Sequence, residues 1–186
     1  MSYPDHGKYE WLPILYDMVA ELKPKKIIEF GPGSGYTTIC MAKALQENKI
    51  DGHINSYDIW NDEYWGKQNT TQYEYDAWGV GNYINLEKLD FFDWIKNGCE
   101  DFDFIYFDIN NTSEKLTLLY NSVKEQILDG SVVFFEGGSK ERDAHGHNGG
   151  GMYDIKDKIG YKILTGNVKY SASTIYNTEM YDLDFS

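Results

Sequence analysis

A short apolar run, Ile27-Ile28-Glu29-Phe30, leads into Gly31-Pro32-Gly33-Ser34-Gly35 and then into a helix-forming stretch. Glycines at such a bend permit backbone angles that other residues avoid, and they let a ligand approach the main chain. The helix N-terminus beyond them adds free amides and a partial positive charge. The spacing narrows the ligand. A dinucleotide fold uses Gly-x-Gly-x-x-Gly, whereas here the glycines stand at 31, 33 and 35 and position 36 is Tyr. Glu29, two residues before Gly31, would repel a diphosphate but suits the ammonium end of an amino acid. The pattern favours a cofactor with a zwitterionic tail. Asp58 ends the next strand-like run, 23 residues after Gly35, where a carboxylate can accept both ribose hydroxyls. Asp90 follows a third run and can accept from an adenine amino group, with Phe91 or Ile84 against the ring. Each acid alone is equally well a solvated loop residue; the three in this order are hard to obtain by chance.

A second set of reactive residues lies further on. Asp108 and Glu136 end two more apolar runs. Ligands of an open α/β sheet bind beyond the carboxyl ends of its strands, so both carboxylates are expected to face one crevice. Glu136 is alternatively a strand end paired with Arg142 or Lys140. His145 and His147 sit among glycines in residues 137–151, expected to be an active-site loop. Either is a candidate general base with an unperturbed pKa of about 6.5, and the pair has a metal-binding spacing; an exposed loop with incidental histidines is the competing reading. Arg142 and Lys140 would anchor an anionic group or merely solvate the loop. Tyr64, Trp65, Tyr73, Tyr75 and Trp78 make either an aromatic lid or core.

Elements that could hold these residues alternate along the chain. A helix is predicted over 13–22, opened by Pro13 and stopped by Pro24. Strands follow at 26–30, 53–57, 83–86, 102–108 and 131–135, and helices at 37–46, 91–96 and after Asn111. Asn111 and Glu114 are spaced as a capping box, and Asp129-Gly130 ends that helix. Residues 59–81 are expected to hold a helix and a lid. A helix near 153–159 precedes two closing strands, 161–164 and 172–176, close enough to be antiparallel neighbours. Alternation of this kind predicts an α/β sandwich with a largely parallel sheet.

The totals agree. The 186 residues suit one domain over 1–186, with 1–24 as a helical N-terminal segment. Thirty acidic against 17 basic residues give a net charge of −13. Such a surface repels a phosphate backbone, so nucleic acid is not an expected partner. No run reaches the roughly 18 apolar residues of a membrane span. No basic or apolar leader opens the chain, and Cys40 and Cys99 match no metal or redox spacing. These features predict a cytoplasmic protein with reduced thiols and leave homo-oligomer formation open.

The ordered motifs resemble the class I S-adenosylmethionine-dependent methyltransferases over nearly the whole chain, from Lys26 to Tyr176. Glu29-Phe30-Gly31-Pro32-Gly33-Ser34-Gly35 is similar to their first motif. Asp58 matches the ribose acid, and Leu89-Asp90-Phe91 the adenine-side motif. Phe102-Asp103-Phe104-Ile105-Tyr106-Phe107-Asp108 is similar to the fourth-strand motif of small-molecule O-methyltransferases. The resemblance implies a seven-stranded sheet of order 3-2-1-4-5-7-6 with strand 7 antiparallel. It implies S-adenosylmethionine as cofactor, held by Glu29, Gly31, Gly33, Gly35, Asp58, Asp90, Phe91 and Asp108. It implies methyl transfer to a small-molecule or sugar acceptor at oxygen, with Asp108, His145 and His147 as catalytic candidates. Related enzymes place Mg²⁺ or another divalent metal at the acid corresponding to Asp108 and at residues after strand five, here Glu136. This chain departs from them at Asn111, where a histidine is common, and at Gly137-Gly138, where a second ligand often stands. A SAM-binding module without catalysis and a nicotinamide-dependent oxidoreductase are the rivals; the displaced third glycine and Glu29 weigh against the latter.

Overall fold

The strand β1 (Lys26–Phe30) is buried over its last four residues, which is why its sequence is apolar at successive positions, Ile27, Ile28 and Phe30, and interrupted only by Glu29. The computed structural model describes residues 11–60, 68–144, 151–166 and 171–183. The chain divides into two compact units, one through Asn97 and one from Gly98.

In the first unit, α1 (Leu12–Leu22) buries Leu15, Met18 and Val19 on one stripe. It ends where Lys23 turns left-handed and donates its N–H to the Val19 carbonyl, just before Pro24. Next come β1 and α2 (Tyr36–Glu47), then β2 (His53–Asp58), α3 (Gln68–Ala77), a 3-10 turn at Gly81–Tyr83, β3 (Ile84–Lys88) and α4 (Phe91–Lys96). β1 pairs in parallel with β2, and β2 with β3. Side chains alternate across β1. Phe30 meets Phe91, Trp94 and Tyr57, with ring centroids 5.5, 5.1 and 5.7 Å away. Glu29 takes the opposite face, toward the first turn of α2.

The second unit holds β4 (Phe104–Phe107), α5 (Ser113–Leu128), β5 (Val132–Glu136), α6 (Lys140–Ala144), a 3-10 turn at Tyr153–Ile155, α7 (Lys156–Ile159), β6 (Lys162–Thr165) and β7 (Ala172–Ile175). β4 and β5 are parallel and buried throughout. β7 runs antiparallel to both β5 and β6. Leu116, Leu119, Val123 and Ile127 form the buried stripe of α5. The sheet order is β3-β2-β1-β4-β5-β7-β6, as the resemblance implied.

Two local expectations change. The cap of α5 is Thr112, whose hydroxyl accepts from the Lys115 N–H, and not Asn111. The Asn111 side chain is spent on strand ends instead, as described below. Within 137–151, expected to be loop, residues 140–144 form α6, because the Ser139 hydroxyl accepts from the Arg142 N–H and supplies the missing cap. No helix among the described residues is long and apolar enough to cross a membrane.

Candidate functional site

The glycine turn after β1 is built by three residues with positive φ: Gly31 (81°), Gly33 (52°) and Gly35 (84°). The Gly31 N–H donates to the Tyr57 carbonyl of β2, and the Gly35 N–H to the Pro32 carbonyl, closing a tight bend. Gly35 takes the N-cap position of α2 and brings no capping side chain, so the first-turn amides of that helix have no N-cap side-chain oxygen to bond. α3 backs the turn. The Thr71 hydroxyl donates to the Gly33 carbonyl at 2.9 Å. A Cβ on residue 35 would stand 2.6 Å from a Tyr75 ring carbon. Gly35→Ala therefore combines a strained φ with a steric clash, and it is expected to cost about 2 kcal/mol, read as a lower thermal midpoint.

Glu29 lies directly beneath this turn and is fully buried. Its Oε1 accepts from the Thr37 hydroxyl, and its Oε2 from the hydroxyls of Thr38 and Ser56, each at 2.6 Å. Tyr75 extends the chain by donating to Thr38 Oγ1 at 2.8 Å. Burial pushes the Glu29 carboxyl above the usual carboxylate range, against the lowering effect of the bonds from Ser56, Thr37 and Thr38. The nearby Asp58 carboxylate adds to the rise. Both oxygens of Glu29 thus hold the turn to α2 and β2. The sequence reading missed this set of hydroxyls. Its signal was available: two threonines one residue beyond the last glycine, and a serine in the interior of a strand.

Asp58 and Asp90 stand at the carboxyl ends of β2 and β3, beside the turn that follows β1. Asp58 is half-buried. One of its oxygens, Oδ1, accepts from the Trp60 N–H at 2.8 Å, which orients the carboxylate. The Leu89 N–H donates to the Asp58 carbonyl, tying the chain after β3 to the end of β2. Asp90 caps α4, with Oδ1 accepting from the Phe92 N–H at 2.7 Å. Phe91 is buried edge-on against Phe30, so its ring is held in place. Of the aromatic residues proposed as a lid, Tyr75 is core and Tyr73 is 69% exposed, with Trp78 between them; Tyr64 and Trp65 lie outside the described residues.

In the second unit Asp108 follows β4 and is half-buried, while Glu136 is the last residue of β5. Asn111, fully buried, holds these two strand ends together: its Nδ2 donates to the carbonyls of Phe107 and Glu136 at 3.0 and 2.9 Å, and its Oδ1 accepts from the Ile109 N–H. The Glu136 carboxylate is paired with Arg142, Nη2 to Oε1, at 3.0 Å, and both side chains are 9% exposed. The alternative that the sequence left open for Glu136, a strand end paired with Arg142, describes this geometry. His145 and His147 lie outside the described residues. Among the described residues no group of three or more His, Cys, Asp or Glu side chains is close enough to share a metal ion. The Glu136 carboxylate that would join Asp108 in holding a divalent metal is engaged by Arg142 instead.

Residues 28–136, more than half of the chain, match the model of a family described as a methyltransferase domain. Solved structures share the fold at low identity. The O-methyltransferase TomG from Streptomyces achromogenes, in complex with SAM and involved in tomaymycin synthesis, is 14% identical, with a TM-score of 0.67 over 90% of this chain and 80% of its own. An O-methyltransferase from Bacillus cereus in complex with SAH is 14% identical, with a TM-score of 0.68 over 90% and 81%. The SAH-bound Podospora anserina methyltransferase PaMTH1 is 16% identical, with a TM-score of 0.64 over 94% and 82%. No curated protein matches the chain.

Proposed function

The chain belongs to the methyltransferase domain family, and from that premise we propose that it moves the methyl group of S-adenosylmethionine to an oxygen of a small-molecule or sugar acceptor. One observation carries the reading. The glycine turn, Asp58 and Asp90 stand side by side at the carboxyl ends of three parallel strands, where an open α/β sheet takes its ligand. The residues there suit the parts of a nucleoside with an amino-acid arm. Backbone at Gly31–Gly35 takes the arm, Asp58 the ribose hydroxyls, and Asp90 with Phe91 the adenine. The three solved structures of the same fold described above were determined with this cofactor or its demethylated product.

When bound, S-adenosylmethionine supplies an electrophilic methyl carbon on a positively charged sulfur. Most of the protein's work is then to position the acceptor. The Gly31–Gly35 backbone, Asp58 and Asp90 would hold the cofactor as it gives that methyl to an acceptor oxygen and departs as a neutral thioether. The hydroxyl proton leaves at the same time, and Asp108 is the carboxylate assigned to take it. On this reading no step is routed through a metal; the pairing of Glu136 with Arg142 supports it.

Calorimetry with S-adenosylhomocysteine tests the reading. Binding is expected in the wild type, and Asp58→Ala is expected to weaken it roughly 10- to 100-fold, the value of a charged hydrogen bond or two. Unchanged affinity would remove Asp58 from the ribose site, and no binding at all would remove the cofactor. A second reading, a cofactor-binding module without turnover, draws on Asn111 and Glu136 being tied up in structural contacts. Binding without transfer to any member of a broad acceptor panel would favour it.

A further inference from the structure

We infer that the described residues at the ends of β4 and β5, Asp108 and Glu136, do not form a divalent-metal site, so that methyl transfer, on the reading just given, proceeds without a metal there and on acceptors that need not chelate one. A magnesium-type ion is held by several free oxygen donors of octahedral geometry, commonly one or two carboxylates with waters and substrate. Beside Asp108, each described position from which donors are expected here is closed, and for a different reason; His145 and His147 lie outside the described residues.

Glu136 is closed by charge. Its carboxylate bonds the guanidinium of Arg142 at 3.0 Å in a setting about nine-tenths buried. An incoming dication would have to break that pair and then sit beside a stranded like charge, which the interior opposes strongly. Asn111 is closed by saturation. Its amide nitrogen already serves two carbonyls and its oxygen already accepts a backbone N–H. Positions 137 and 138 carry no side-chain donor, and their backbone disfavours one. Both glycines have positive φ, 100° and 91°. A Cβ at 137 would lie 2.2 Å from the Met152 methyl, and one at 138 would lie 2.8 Å from Ser173 Oγ and 3.0 Å from the Phe135 ring. Asp108 contributes a single carboxylate, which by itself gives an ion only a weak hold.

The positive charge near this strand end is thus part of the chain, in Arg142, rather than recruited from solution. Metal-dependent transfer to a vicinal diol uses the ion to grip two oxygens at once. Without it, a single hydroxyl suffices, and the substrate class is monohydroxy acceptors as readily as diols.

Manganese reports on the site directly, through the electron paramagnetic resonance of the free ion. Titration of the full chain is expected to show only weak association, about millimolar or poorer, owing to the acidic surface. Glu136→Gln is expected to leave that curve unchanged. A micromolar site in the wild type overturns the inference, whether or not the variant folds. Wherever an acceptor has been identified, dialysis against EDTA is expected to leave turnover unchanged; loss on EDTA with recovery on Mg²⁺ overturns the inference. The two failures are separable. If S-adenosylhomocysteine does not bind, the methyltransferase reading falls while the manganese curve still stands. If it binds and manganese also binds tightly, only the metal-free inference falls.

Discussion

Asp108→Asn is expected to lower methyl transfer by about 10²- to 10⁴-fold, the usual contribution of a positioned acid or base, while S-adenosylhomocysteine affinity stays near that of the wild type. The residue follows a fully buried strand and is itself half-buried. Three residues later Asn111 pins the end of that strand to the end of β5 by hydrogen bonds to both carbonyls. The main chain around position 108 is therefore fixed, and an amide of the same shape should fold in the same place. What it removes is the capacity to take a proton from the acceptor. Calorimetry and steady-state kinetics on one preparation separate the two quantities. A variant with full turnover would take Asp108 out of the mechanism, and a variant that loses cofactor affinity would move it to the binding site instead.

Glu29→Ala is expected to destabilise the fold by about 3 to 4 kcal/mol, because it leaves buried hydroxyls without their acceptor and opens a cavity. Thr37, Thr38 and Ser56 all donate to this carboxyl, and Tyr75 follows through Thr38. For a chain of this size each kcal/mol moves the thermal midpoint by about 2 to 4 °C, so a fall of about 10 °C is expected. Glu29→Gln keeps the shape and should lose less. The comparison with Gln also carries a pH signature. Burial raises the folded-state pKa of Glu29 above an unfolded value of about 4.3. The folded state therefore binds the proton more tightly, and this contribution is complete below the unfolded value and is lost as pH rises through the folded one. The wild type's advantage over Glu29→Gln should accordingly be greatest in acid and shrink toward neutral pH. Melting curves of both proteins across that range check it. An advantage that grows with pH would mean that the hydrogen bonds, not burial, dominate the carboxyl.

The parallel strands were legible because of what burial demands. Strands covered on both faces must be apolar at successive positions, so Lys26–Phe30 and Val132–Glu136 stood out without any partner in view. The helix of residues 113–128 showed its stripe for the same kind of reason, with Leu116, Leu119, Val123 and Ile127 at helical spacing. The strand order was legible only through the resemblance to a family, since nothing local in the chain says that β7 lies between β5 and β6. Errors gathered where side-chain polar groups choose among backbone partners. Asn111 and Thr112 are both competent caps, and the choice fell to Thr112 because Asn111 is drawn to the carbonyls of two strands, one of them 25 residues away.

By itself, then, the amino-acid order determined which segments are strands and helices, where the backbone must bend at Gly31–Gly35, and which acids follow the strands. Those properties depend on residues within a turn or two of one another, through periodicity and allowed backbone angles. Only the tertiary structure decided what the acids do. It turned Glu29 inward to three hydroxyls, gave one oxygen of Asp58 to a backbone amide, and bound Glu136 to Arg142. A carboxylate's role is set by which donors surround it and how far water is excluded, and both depend on chain segments brought together by folding.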